Sequence, residues 1–269
     1  TMDNNLWNEN KTSVFNEIIN YIKNRYISNK VFRFIANIFL GISIISAVYF
    51  LIKKSFRNML LALFCGLIMG PLVFVVEYLL KIVLPTPLIS MILFIMLGGF
   101  ILGPAYNFYT IFPNWDTLLH GLSGFMFACL GYILAEKFIG LTDKKSFYIY
   151  LTCGIMFSIT IAALWEMIEY LGTTLFNCDM QEDMIINSFK TYYFTGNHDT
   201  VFNVYDITKT VIYYGSGKEL VINGYLDIGL YDTLDDILIC VIGNVVFLFS
   251  MLISNRKKQV FKDKFIPRI

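Results

Sequence analysis

Residues 114–137 read Asn-Trp-Asp116-Thr-Leu-Leu-His120-Gly-Leu-Ser-Gly-Phe-Met-Phe-Ala-Cys-Leu-Gly-Tyr-Ile-Leu-Ala-Glu-Lys137, an apolar run of helix length with an acid and an imidazole near its start. A spacing of four puts Asp116 and His120 on one helical face, about one turn apart. Lipid rejects such a face, so protein has to cover it. Two later stretches carry faces of the same kind. In Trp165-Glu166-Met-Ile-Glu169 the carboxylates stand three apart, and Asp232-Thr233-Leu-Asp235-Asp236 offers partners at three and at four. The pattern predicts an all-α polytopic membrane protein in which three helices turn ionisable side chains toward one another.

The composition agrees: 269 residues, 57% hydrophobic, 17% aromatic, 15% charged, with a mean hydropathy of +0.62. Six apolar runs, at roughly 33–52, 59–80, 87–109, 117–136, 147–171 and 233–254, are each long enough to span a hydrocarbon core of about 30 Å. Ahead of them, Val14, Phe15, Ile18, Ile19, Ile22 and Tyr26 repeat with helical period and Lys and Arg on the other side, as in an amphipathic helix on the membrane surface. The expected organisation is therefore an interfacial cytoplasmic helix over 1–30 and membrane helices one to five over 31–175. An extracytoplasmic insert over 176–231, the sixth helix over 232–255 and a basic cytoplasmic tail over 256–269 complete it.

Basic residues set the orientation. Lys23, Arg25, Lys30, Arg33, Lys81, Lys137, Lys144, Lys145 and the tail fall on one side, against Lys53, Lys54 and Arg57 in the short loops opposite. Both termini are thus expected in the cytoplasm, and the ionisable ends of helices four, five and six on the extracytoplasmic side. A formal net charge of +1 gives no ground for a nucleic-acid partner. Five scattered cysteines without a C-x-x-C make neither a disulfide framework nor a thiolate metal site.

Several carboxylates meeting at low dielectric would drive one another to protonate unless a positive charge intervened, and a divalent cation supplies it. Asp116, His120, Glu166, Glu169, Asp232 and Asp236 are the expected ligands, with Asp235 the geometric alternative to Asp236. One imidazole among carboxylate oxygens suits Zn, Mn, Fe or Mg. His120 or Glu169 would act as general base on a bound water. Asp116 and Asp232, each standing directly before Thr and an apolar run, also have the look of helix N-caps. Glu77, near the opposite end of its helix, reads as a structural acid. Within the insert, residues 208–226 form two β-branched, aromatic-rich strands around Gly215-Ser-Gly217, which predicts a β-hairpin.

The three motifs Asp116-x-x-x-His120, Trp165-Glu166-x-x-Glu169 and Asp232-Thr233-x-x-Asp236 with Gly243 resemble the signature of the YjdF-type bacterial inner-membrane protein family, and more remotely that of VanZ-like proteins. The resemblance covers helices four to six. It implies a protein of the bacterial cytoplasmic membrane whose relatives include proteins associated with glycopeptide resistance, and it carries over no reaction. The residues themselves point first to a metal-dependent membrane enzyme, a hydrolase or transferase acting on a lipid or lipid-linked headgroup at the outer leaflet. A cation- or proton-coupled transporter is the second reading, and a non-catalytic resistance or immunity factor binding a lipid-linked precursor the third.

Overall fold

The computed structural model describes residues 14–143, 145–176, 178–256 and 265–266. The first residues of the expected interfacial helix and most of the basic tail lie outside them. Among the described residues, six helices are long and apolar enough to cross a membrane: Lys30–Ile52, Phe56–Leu80, Thr86–Ala105, Trp115–Ile139, Ser146–Leu175 and Leu230–Asn255. They are numbered here as spans one to six. The all-α polytopic architecture expected from composition is the one observed, because a bilayer leaves backbone N–H and C=O groups no partner except those inside the helix.

Prolines shape spans two and three in the same way. Each contains a five-residue π-turn, Cys65–Met69 and Gly98–Leu102, and each π-turn runs directly into a Gly-Pro pair, Gly70-Pro71 and Gly103-Pro104. Proline has no N–H for the carbonyl four residues back, and a local widening of the helix absorbs that loss. Pro85 caps span three in extended conformation, and the span begins at Thr86.

The described chain separates into two compact units. The first draws on residues up to Ile161 and from Ile239 onward, and the second is Ala162–Leu238. In the first unit, the helix Val14–Ser28 precedes span one, which Asn29 caps by accepting the Phe32 amide hydrogen at 3.0 Å. The covered face of this helix is offset from the middle of the apolar stripe: Ile22 and Tyr26 of that stripe pack against the core beside two residues outside it. Tyr21 and Arg25 are buried, while Val14, Phe15 and Ile19 stay exposed. The cause is Glu77 of span two, which is fully buried. Its carboxylate accepts from the Tyr21 hydroxyl at 3.1 Å and from the Leu84 amide at 2.6 Å, and it pairs with Arg25 Nε at 3.5 Å. Arg25 also donates to the Leu84 carbonyl at 2.5 Å and lies over the Phe32 ring. A buried carboxylate needs such partners, so Tyr21 and Arg25 turn inward beside Ile22 and Tyr26, while Val14, Phe15 and Ile19 stay outside.

Spans four, five and six pack through glycine within the same unit. A Cβ on Gly124 would lie 2.2 Å from the Cys240 carbonyl oxygen, and one on Gly243 would lie 2.2 Å from that of Gly121. A Cβ on Gly154 would come within 2.6 Å of the Ala128 carbonyl. These backbones touch, which is how small residues let membrane helices gain dispersion contacts.

The second unit holds the insert. The expected hairpin is present, β4 (Thr210–Tyr214) pairing antiparallel with β5 (Lys218–Ile222), and positive φ angles of 57° and 82° at Gly215 and Gly217 make its turn. Two further pairs are not foreseen by the sequence: β1 (Met184–Ile186) with β6 (Tyr225–Asp227), and β2 (Phe189–Thr191) with β3 (Phe202–Val204). Strands of three residues are too short for alternation to register, and partners far apart in sequence leave no local turn signal.

Candidate metal centre

Span five carries neither Lys nor Arg, and span six has none. Into this cation-free stretch the second unit brings three acids together. Glu166 and Glu169 lie on one face of span five, Asp236 lies in the second turn of span six, and each offers a carboxylate oxygen within 4.8 Å of the others. All three are buried, at 4%, 9% and 5% exposure. Three carboxylates at that distance and depth repel strongly if ionised, and their oxygens match what a hard divalent cation takes as ligands.

Asp236 is buried and Asp235 exposed, and Asp236 is the one that meets Glu166 and Glu169. Trp165 supplies a contact that the sequence reading missed. Its indole Nε1 donates to Glu169 Oε1 at 2.8 Å, a bond that orients the carboxylate. An indole one turn before a carboxylate is the only sequence signal for that bond. Asp232 takes a different position. It accepts the Glu182 amide hydrogen at 2.9 Å, next to a bond from Gln181 Nε2 to the Thr233 hydroxyl at 2.9 Å, so the start of the insert is tied to the start of span six.

In the first unit, His120 is buried at 8% exposure, and its Nε2 lies 3.6 Å from Asp116 Oδ1. On its other side Nδ1 lies 3.9 Å from Cys240 Sγ, and that thiol donates to the His120 carbonyl at 3.2 Å. The imidazole is thus held between a carboxylate and a thiol. Neither aspartate stands ahead of its helix as a cap: in span four Asn114 holds that position, without a side-chain cap bond, and Asp116 lies in the first turn, and span six begins at Leu230 with Asp232 in its first turn. In the insert, partial desolvation and repulsion from Asp179 and Asp227 hold Asp183 above the usual carboxylate range.

A family model described as a predicted membrane protein, DUF2238, matches residues 34–257. The chain belongs to the DUF2238 family. The match runs from within span one to the end of span six and takes in the insert, so the three motifs and both π-turns of this DUF2238 protein all lie inside it. YjdF-type proteins are DUF2238 proteins, which upholds that part of the resemblance, whereas no relation to VanZ-like proteins is found. No curated protein and no solved structure matches the chain.

Proposed function

We propose that this DUF2238 protein is a metal-dependent membrane enzyme, a hydrolase or transferase acting on a lipid or lipid-linked headgroup at the outer leaflet of the bacterial cytoplasmic membrane. The observation that carries the reading is the convergence of Glu166, Glu169 and Asp236, all buried, with ligand oxygens within 4.8 Å of one another. A divalent cation gives these acids a reason to stay ionised in a low-dielectric setting, and it lowers the pKa of a bound water to make a nucleophile. All-oxygen ligation by these three favours Mg or Mn. From the sequence, Asp116 and His120 remain further candidate ligands, since the basic-residue pattern puts all three motifs at one membrane depth on the extracytoplasmic side; a His ligand would favour Zn or Fe. Glu169, or His120, would serve as general base toward a water at the site.

Elemental mass spectrometry of the detergent-purified protein tests this reading. Wild type is expected to carry stoichiometric metal, and Glu166→Gln and Asp236→Asn to lose it while still eluting as monodisperse protein. His120→Ala is expected to lose it too if the imidazole shares the ion. A wild type that stays metal-free after incubation with Zn, Mn and Mg refutes the metal site. Trp165→Phe keeps the ring and removes the indole donor to Glu169. Partners that orient a ligand are worth about 10- to 100-fold in metal affinity, so isothermal titration of this variant should show a loss in that range with an unchanged melting temperature.

A further inference from the structure

The buried face of span six runs through Cys240, Gly243, Asn244, Phe247 and Met251, a stripe with helical spacing. Each neighbour on it is accounted for by the helices it meets. Cys240 and Gly243 touch the backbone of span four at Gly124 and Gly121, and the Phe247 ring meets those of Phe125 and Tyr132, with centroids at 6.3 and 6.4 Å. The polar groups of this seam are bonded: Ser158 Oγ donates to the Gly124 carbonyl at 2.8 Å, and the Cys240 thiol donates to the His120 carbonyl.

Asn244 is the exception. It is 2% exposed, and neither its Oδ1 nor its Nδ2 has a hydrogen-bond partner among the described residues. At 1.5 Å per residue it stands about 21 Å from the start of the sixth span, close to mid-membrane. A primary amide carries two donors and an acceptor, and hydrocarbon satisfies none of them. Leu or Met would fill this place in an apolar stripe without that cost. A group that both donates and accepts, small enough for a closed helix seam, is what the amide lacks, and water is that group.

We propose that Asn244 holds an ordered internal water, the deep end of a polar track that continues along the seam through Cys240 to His120 and Asp116. The i, i+4 relation of Cys240 and Asn244 puts their Cβ atoms about 5–6 Å apart, a gap that one water bridges. The water site itself rests on Asn244 and Cys240, neither of which is among the proposed metal ligands.

Radiolytic hydroxyl labelling of the full-length protein in lipid nanodiscs tests this, because radicals formed from a bound water label the buried side chains beside it. Cys240, Phe247 and Met251 are expected to be labelled several-fold faster than Phe39 and Phe74, which are similarly buried in the first unit. Asn244→Leu is expected to bring Phe247 and Met251 down to the rate of those controls. Labelling of wild type at the control rate shows a dry amide and overturns the proposal, and this comparison stands even if the leucine variant does not fold. Fast labelling that persists in a folded Asn244→Leu variant overturns Asn244 as the residue that holds the water.

Discussion

Glu77→Ala is expected to be among the most destabilising single substitutions in this protein, by about 3–5 kcal/mol, the range for removing one partner of a buried ion pair. The loss has several parts. Arg25, 7% exposed, is left as a buried cation, and the Tyr21 hydroxyl and Leu84 amide lose the acceptor they share. The pair also holds the helix Val14–Ser28 to spans two and three, so its removal should free that helix as well as weaken the bundle. Two readouts apply: the melting temperature in detergent, and protease cleavage between Ser28 and Lys30. Arg25→Met combined with Glu77→Leu removes both charges and should cost less than the sum of the single substitutions, since an apolar pair of similar volume needs no partners. Glu77→Ala with the wild-type melting temperature and an uncleaved N-terminal helix would show that the carboxylate is not what docks it.

Gly124→Val is the second large effect, and a near neighbour is its control. A Cβ at Gly124 would stand 2.2 Å from the Cys240 carbonyl oxygen, 2.7 Å from its Cα and 2.8 Å from its carbonyl carbon. All three are backbone atoms of a helix, and no rotamer change can move them. Spans four and six would have to separate, giving up dispersion contacts along the whole seam, so an overpacking cost at or above the usual range of about 1–3 kcal/mol is expected. At Gly121 a Cβ would meet only Ile239 Cγ2, at 3.4 Å. Gly121→Ala should therefore purify as wild type does, whereas Gly124→Val should aggregate or melt well below it. Equal behaviour of the two would mean that helix separation is cheap and the glycine contact unimportant. A stripe of small residues in the sequence makes no such distinction, because which glycine meets backbone depends on the rotation of the partner helix.

The sequence alone determined what depends on solvent and on local period. Six apolar runs of sufficient length become six spans, since a helix in lipid must satisfy its own backbone, and the family match extends across all of them. The hairpin at 210–222 follows from β-branched and aromatic strands around two glycines, the chemistry that such a turn demands. The acidic motifs were legible as well, because charge is rare enough in an apolar helix to stand out. Tertiary structure decided everything that turns on rotation about a helix axis or on contact between distant segments. Adjacent Asp235 and Asp236 are both polar letters in a sequence; only the packing of span six buries one of them. The amphipathic period of Val14–Ser28 marks the face with most apolar area, yet the covered face is centred at its edge on Tyr21 and Arg25, because Glu77 fifty-six residues past Tyr21 is buried and needs a cation and donors. The strand pairs β1–β6 and β2–β3, the bond from Trp165 to Glu169 and the bare amide of Asn244 belong to the same class. Each depends on which atoms stand opposite, and that is fixed only when helices pack.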